Sequence, residues 1–200
     1  PIHKPFYTPN DPQYSQQWFI QQIQADDAWN FWNVDEGDLP GNRNVLLASV
    51  DTGVDWDHID LIDNIWNNLG EDANGNGVTL IYEDGDWIYD PGDINGQDDD
   101  GNGYVDDLIG WDCAGYSGLQ DNIPSPPTGV SSGGTWAHGT HVAGLLSAAS
   151  NNNIGIASTS FNAKLLSIKS SRENDEENVY VSDGYPGITY AAKVGYYANT

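Results

Sequence analysis

From His138 to Gly144 the chain reads His-Gly-Thr-His-Val-Ala-Gly, and a run of apolar and small residues continues to Ala149. Apolar residues that follow a polar loop predict a buried helix, with the first histidine at its mouth. Gly139 and Gly144 carry no side-chain bulk, so another segment of backbone can approach this helix closely. Taken alone, a histidine at this position is most simply a hydrogen-bonded residue of the core, so its role depends on a second stretch.

The second stretch is a short apolar run, Val-Leu-Leu-Ala-Ser-Val at residues 45–50, which ends in Asp51-Thr52-Gly53. Its length and composition predict a buried strand of a parallel sheet. Open α/β sheets place their functional groups at the carboxyl ends of the strands, which is where Asp51 lies. A carboxylate at that point can hold a histidine ring through Nδ1 and stabilise the imidazolium that forms during catalysis.

Together the two stretches closely resemble the subtilisin family of serine peptidases, for which the histidine motif is highly specific. The resemblance implies that Asp51 is the aspartate of an Asp-His-Ser triad and that His138 is its general base, with His141 as the supporting second histidine. It also implies an α/β fold with three layers and a mostly parallel central sheet. The implied activity is that of an endopeptidase, whose polypeptide substrates bind in extended form by pairing with an edge strand.

Other segments extend the resemblance over most of the 200 residues. Residues 7–12 and 23–29 look like the amino-terminal segment of thermitase-type members, and residues 58–61 look like the family's His-Pro-Asp-Leu with isoleucine in place of proline. Residues 151–157 resemble the family's calcium loop. The resemblance therefore implies a calcium site formed by the side chains of Asp11, Asp60 and Asn152 and the carbonyls of Ile154 and Ile156.

The family's nucleophile motif, Gly-Thr-Ser-Met-Ala, is absent from the sequence, as is the strand with the oxyanion-hole asparagine. We therefore expect residues 1–200 to be the amino-terminal part of a single catalytic domain, with a sheet that is incomplete at the carboxyl end. Residues 185–197 predict a helix that crosses over to a further parallel strand, with Ile188, Ala191, Ala192 and Gly195 facing the sheet. The expected partner is the remainder of the domain, or a complementary chain, that supplies the serine.

The charge of the chain restricts its other partners. Thirty acidic against six basic residues give a formal charge of −24, which argues against binding to nucleic acid or to an anionic membrane. No apolar run approaches the length of a membrane span. The acidic composition suits a secreted, cation-binding protein, and 8 Trp and 11 Tyr argue against a disordered chain. Cys113 is the single cysteine, so no internal disulfide forms.

Residues 67–107 form an acidic insertion between the two motifs, rich in glycine and asparagine. Residues 80–83 and 86–89, joined by Asp-Gly, predict a hairpin with a tight turn. Residues 98–104 match the first seven positions of an EF-hand loop, and clustered carboxylates repel one another unless a cation neutralises them. Calcium is therefore the expected cofactor. Its expected ligands are the side chains of Asp98, Asp100 and Asn102, the carbonyl of Tyr104, and Asp106 or Asp107, because position 12 is the apolar Ile109.

An earlier segment of the insertion is a weaker match to the same pattern. Asp72, Asn74, Asn76 and Gly77 occupy positions 1, 3, 5 and 6 of an EF-hand loop, and Glu83 falls at position 12. Glu83, however, is expected to belong to the hairpin, and no helices are predicted on either side. The sequence therefore favours a solvated loop here over a metal site.

Three alternative interpretations fit parts of the sequence. Asp51-Thr52-Gly53 also resembles the active-site triplet of aspartic peptidases, but that chemistry needs two such carboxylates and the triplet occurs once. A non-catalytic calcium-binding relative would show the same features within residues 1–200 and would differ only in lacking the serine, which these residues do not contain. His138 and His141 lie three residues apart and can share a helical face, as in a zinc site, but no motif supplies further ligands.

Overall fold

The computed structural model describes residues 7–173 and 179–198. Within these ranges the chain forms four α-helices and six β-strands, with short 3-10 turns between several of them. In chain order they are α1 Trp18–Gln22, α2 Ala25–Trp29, β1 Leu46–Asp51, β2 Leu80–Glu83, β3 Asp86–Tyr89, β4 Gly110–Tyr116, β5 Leu119–Asp121, α3 His138–Ser147, β6 Lys164–Lys169 and α4 Gly184–Tyr197. None of the helices in the described ranges has the length and hydrophobicity to cross a membrane.

The main sheet has the strand order β1-β6-β4-β5 and is mostly parallel. β6 runs parallel to both β1 and β4, and Asp51 at the end of β1 lies opposite Lys169 at the end of β6. β5 is antiparallel because a tight turn returns it directly from β4. Among the described strands β1 pairs only with β6, and Ala48 is exposed. The prediction of a strand that ends at Asp51 is confirmed. The prediction that this strand is buried holds only in part, because Ser49 and Asp51 are buried and the other four residues are half-buried or exposed.

Two hydrophobic clusters lie on opposite faces of this sheet. Successive side chains of a strand point to opposite faces. Leu165 of β6 packs in one cluster with Ala143 of α3, whereas Leu166 packs in the other with Tyr190 and Val194 of α4. Helices α3 and α4 therefore cover opposite faces of the sheet, and the predicted three-layer α/β architecture is confirmed.

The helix predicted over residues 185–197 is α4, and it packs through a face that is rotated from the predicted one. Of the predicted residues, Ala191 packs against the sheet-side cluster. Gly187, Tyr190 and Val194 are buried, whereas Ile188 is 59% exposed and Ala192 is also exposed. At Gly187 a Cβ would lie 2.6 Å from Val50 Cγ1, so glycine allows the helix to approach β1. The large aromatic ring of Tyr190, rather than the aliphatic Ile188, packs in the core, where it contacts the rings of Tyr104 and Trp111.

The predicted hairpin is present as β2 and β3, which pair from Leu80–Tyr89 to Glu83–Asp86. Both turn residues, Asp84 and Gly85, have positive φ, as a tight type I′ turn requires. The ring of Tyr89 stacks on Trp56 with 5.2 Å between centroids, and the hairpin thereby joins the cluster on the α3 face. The acidic insertion is thus attached to the same core as the histidine helix.

Candidate functional site

The end of β1 and the start of α3 bring Asp51 and His138 together. His138 Nδ1 lies 2.8 Å from Asp51 Oδ1, within the range of about 2.6–3.2 Å that a working base and its orienting group need. The Asp51 side chain is 11% exposed and that of His138 is 63% exposed. The carboxylate is therefore sheltered from water, while the imidazole that it holds stays open to a substrate.

Thr52, to which the sequence analysis gave no role, fixes the helix to the end of the strand. Its Oγ1 accepts a hydrogen bond from the backbone N of Gly139 at 2.9 Å and donates one to the carbonyl of Trp136 at 3.0 Å. Its own backbone N donates to Asp51 Oδ1 at 2.7 Å. One residue thus positions both the carboxylate and the backbone on either side of His138. The signal in the sequence was a small hydroxyl side chain directly after the strand-end aspartate.

The close approach predicted at Gly139 is present in the structure. A Cβ at this position would lie 2.3 Å from the carbonyl oxygen of Gly53, so any side chain would push α3 away from β1. Gly53 itself has φ of 99° and would meet Pro126 N at 2.8 Å if it carried a Cβ. Glycine at position 139 is therefore a condition for the contact between Asp51 and His138, and glycine at position 53 allows the segment 124–126 to approach the end of β1.

His141 lies apart from that contact, on an exposed part of α3. It lines a surface pocket together with His58 and Thr140. Among the described residues, one group of three acidic, histidine or cysteine side chains has all its ligand atoms within 4.8 Å of one another, and it contains no histidine. The structure gives no support to a zinc site at His138 and His141.

The loop 98–104 folds around its side-chain oxygens as the EF-hand pattern predicts. The Asp98 carboxylate accepts hydrogen bonds from the backbone N of Asn102 at 3.0 Å and of Gly103 at 2.8 Å. Asp100 Oδ1 accepts a further bond from the Asn102 N at 2.8 Å, and Asn102 Oδ1 accepts one from the Tyr104 N at 2.8 Å. The side chains of Asp98, Asp100 and Asn102 therefore all bond to the backbone of their own loop.

Glu71, Asp100 and Asp107 form the acidic group whose ligand atoms lie within 4.8 Å of one another. Glu71 and Asp107 are completely buried. Burial is the main reason that the pKa of each rises to about 7, and the neighbouring Asp100 carboxylate adds to the effect in both cases. Carboxyls buried this close together can be ionised at the same time only if a positive charge lies beside them.

Asp107, rather than Asp106, lies with the other predicted ligands. The Asp106 carboxylate turns the other way and accepts hydrogen bonds from the backbone N of Asn95 and Gly96, at 3.0 and 3.0 Å. Asp106 therefore does not complete this cluster. Glu71, which does, was missed because it lies in a 3-10 turn well before the loop and outside the EF-hand pattern.

The residues of the other predicted calcium site also lie together. The Asp11 carboxylate accepts a hydrogen bond from the backbone N of Asn152 at 3.2 Å, and Asp60 accepts bonds from Asn152 Nδ2 and Ile156 N, both at 2.9 Å. Asn152 Oδ1 accepts one from Ile154 N at 2.8 Å. Burial, and to a lesser degree the Asp11 carboxylate, raises the pKa of Asp60. Both donor sets consist of hard oxygens with uncompensated negative charge, which suits Ca²⁺.

A test of the buried cluster follows from the raised pKa of Glu71. Without metal, the folded chain keeps a proton on Glu71 that the unfolded chain loses near its ordinary pKa of about 4.3. In a chelating buffer the free energy of unfolding is therefore expected to fall as the pH rises from about 4 through the folded pKa of about 7. Glu71→Gln should make this decline smaller, as measured by urea unfolding at pH 5 and pH 8.

The matched control for this test is Glu83→Gln, which removes the same charge from an exposed position on β2. It should leave the decline with pH unchanged. Equal slopes for the wild-type protein and Glu71→Gln would contradict the assignment of Glu71 to the charged cluster.

The fold and the Asp51–His138 contact together define an α/β protein with the Asp–His pair that serine hydrolases use. The chain belongs to the subtilase family, whose family model matches residues 42–197. The resemblance read from the sequence is thereby confirmed.

Individual relatives agree with this family. Subtilisin-like protease 1 of Plasmodium falciparum (isolate 3D7) is 32% identical over 167 residues, which cover 82% of this chain and 19% of the relative. Halolysin of Haloferax mediterranei is 30% identical and matches 96% of this chain and 26% of its own length. Thermitase of Thermoactinomyces vulgaris is 30% identical and matches 94% of this chain and 45% of its own length. The chain thus spans less than half of the length of each of these relatives.

Proposed function

We propose that residues 1–200 form part of a secreted, calcium-stabilised serine endopeptidase with an Asp-His-Ser triad. The observation that carries this proposal is the 2.8 Å contact between His138 Nδ1 and Asp51 Oδ1. Membership of the subtilase family and relatives named subtilisin-like protease and thermitase support a peptidase activity. A further relative, from Dichelobacter nodosus, is named extracellular basic protease, which supports secretion.

In this mechanism His138 takes the proton from the serine hydroxyl as its oxygen attacks the scissile carbonyl carbon. The same imidazole then gives the proton to the leaving amine. Asp51 holds the ring through Nδ1 and stabilises the imidazolium, and Thr52 keeps both in register. The serine and the oxyanion-hole donors come from polypeptide outside these 200 residues, since the nucleophile motif is absent from them. The substrate is a polypeptide that binds in extended form.

Calcium has a structural role in this proposal. One ion would be held by Asp98, Asp100, Asn102, the Tyr104 carbonyl, Asp107 and Glu71, and another by Asp11, Asp60, Asn152 and the carbonyls of Ile154 and Ile156. When bound, the ions neutralise the clustered carboxylates. Asp107 also accepts a hydrogen bond of 2.7 Å from the Tyr190 hydroxyl, so its position links the acidic insertion to α4.

The proposal is tested by extending the coding sequence beyond residue 200 and treating the product with a fluorophosphonate. The extended protein should be labelled on one serine outside residues 1–200 and should cleave a peptide substrate. Residues 1–200 alone should do neither, because a base without its nucleophile cannot form the acyl-enzyme. An extended protein without labelling or cleavage would show that this is a non-catalytic relative, and labelling within residues 1–200 would show that the triad is assigned wrongly.

A further inference from the structure

The loop 72–78 has the same conformation as the loop 98–104. In each loop the carboxylate of the first residue accepts hydrogen bonds from the backbone N of the fifth and sixth residues, at 3.1 and 2.7 Å for Asp72 and at 3.0 and 2.8 Å for Asp98. The side-chain oxygen of the third residue accepts a bond from the fifth N in both loops, at 2.9 and 2.8 Å. The glycine at position 6 has φ of 87° in one and 94° in the other. Shared conformation shows that the oxygens are arranged alike, but it does not by itself show that a ligand binds.

Asp93 supplies the observation that points to a ligand. Its side chain is completely buried, and its Oδ1 accepts a hydrogen bond from the backbone N of Asn74 at 3.2 Å. Its Oδ2 is also buried, and among the described residues it accepts no hydrogen bond. A buried carboxylate oxygen without a partner destabilises the fold. The unsatisfied oxygen therefore indicates a positively charged partner beside the loop 72–78.

Other acidic groups converge on the same place. Asp90 is buried, and its Oδ2 accepts hydrogen bonds from the side-chain amides of Asn74 and Asn76 at 3.0 and 2.6 Å. Burial, and then the carboxylates of Asp90 and Asp72, raise the pKa of Asp93. Asp90 and Asp93, which follow β3, thus both bond to the loop 72–78, which carries the carboxylate of Asp72 and the side-chain amides of Asn74 and Asn76.

We propose that the loop 72–78 is a further calcium site, closed by Asp90 and Asp93. Asp72, Asn74 and Asn76 supply side-chain oxygens from the loop, and the two aspartates reach it from the segment that follows β3. The hairpin makes this closure possible, because it folds the chain back on itself between residues 78 and 90. The ligand chemistry, with carboxylate and amide oxygens only, selects a hard divalent cation of the size and flexible coordination of Ca²⁺.

This closure replaces the one that the spacing predicts. Glu83, at position 12 of the EF-hand pattern, lies on β2 opposite Asp86 and is exposed. The prediction that Glu83 belongs to the hairpin is confirmed. The prediction of a solvated loop rested on the commitment of Glu83 to the hairpin and on the lack of flanking helices. In the proposed site Asp90 and Asp93 take the place of Glu83. The site is distinct from the two calcium sites proposed above and does not depend on peptidase activity.

The first test counts bound calcium on the intact protein by elemental analysis after dialysis, together with calcium titration calorimetry. Asp93→Asn keeps the size of the side chain and should lose one equivalent of calcium per chain. Glu83→Gln is the matched control, since it removes a carboxylate from the position that the pattern predicts, and it should lose none. Unchanged calcium content in Asp93→Asn, or loss of one equivalent in Glu83→Gln, would overturn the proposal.

A second test needs no change in the proposed ligands. Amide hydrogen exchange of the wild-type protein is compared with Ca²⁺ and with chelator, and the comparison is repeated in Asp98→Asn to weaken the neighbouring loop. Calcium should slow exchange in residues 73–78 and 90–93 in both proteins. Protection confined to residues 98–107, or lost from residues 73–93 in Asp98→Asn, would show that the loop 72–78 binds no ion of its own. Neither test measures cleavage, so their outcome is separable from that of the fluorophosphonate experiment.

Discussion

Replacing His138 by alanine in the protein that carries the serine is expected to lower kcat by about 10⁶-fold. The Asp51 carboxylate holds the His138 ring, with 2.8 Å between Oδ1 and Nδ1. Without this base for the hydroxyl proton, no acyl-enzyme forms quickly. The fold should persist, because the His138 side chain is 63% exposed. The measurements are kcat on a chromogenic peptide and the melting temperature of each protein.

Asp51→Asn provides the graded comparison. An amide can still hydrogen-bond the ring, but it favours the wrong tautomer and cannot stabilise the imidazolium, so the expected loss is about 10⁴-fold. The double variant should be no slower than His138→Ala alone, because the two residues act as one unit. Glu83→Gln, on the exposed hairpin, should retain wild-type kcat. A His138→Ala enzyme with more than about one-tenth of the wild-type kcat would exclude the role of general base.

The Asp–His pair was predictable because each partner stands at the end of an element with a strong local pattern. The apolar run before Asp51 ends where β1 ends, and His138 is the first residue of α3. Gly139 has no side chain, which indicates a close approach between α3 and the end of β1, and the structure shows that approach. Local sequence therefore placed both groups at the ends of their elements, and the resemblance to the subtilisin family identified them as a pair.

Partners that come from distant segments could not be predicted in the same way. The EF-hand pattern identified the first positions of the loops 72–78 and 98–104, but the carboxylates proposed to complete each site come from elsewhere. They are Glu71 in one case, and Asp90 and Asp93 in the other. Where Glu71, Asp90 and Asp93 lie depends on how the 3-10 turn and the hairpin fold back toward the loops. No periodicity in the sequence predicts that folding. Burial is what distinguishes these carboxylates from the other acidic residues, and burial is a property of the folded chain.

The packing face of α4 was mispredicted for a related reason. Aliphatic periodicity selected Ile188 and Ala192, whereas the helix packs through Gly187, Tyr190 and Val194. Gly187 is required by the approach of Val50, and the Tyr190 hydroxyl has a buried acceptor in Asp107 at 2.7 Å. A tyrosine is readily buried when its hydroxyl is satisfied, which hydrophobicity alone does not reveal.

Removal of calcium from the intact protein is expected to lower its melting temperature by roughly 10–20 °C. An ion that binds only the folded state at 100 times its dissociation constant contributes about 2.7 kcal/mol. The expected shift counts the two sites proposed for Asp98–Asp107 with Glu71 and for Asp11 with Asp60, and an ion in the loop 72–78 would add to it. For a chain of this length each kcal/mol corresponds to roughly 2–4 °C. The measurement is a thermal melt in excess chelator, compared with a melt after Ca²⁺ is restored.

The contribution of each site is separable with conservative variants. Asp60→Asn should abolish about half of the shift that these two sites produce, because Asp60 accepts bonds from both Asn152 and Ile156 and joins segments far apart in sequence. Glu71→Gln should remove a similar share through the other site. If the melting temperature in chelator stays within about 1 °C of its value in Ca²⁺, the ions do not bind the folded state preferentially. The buried carboxyls would then have to be neutral in the native protein, and the raised pKa values of Glu71 and Asp107 would reflect protons held in place of a metal.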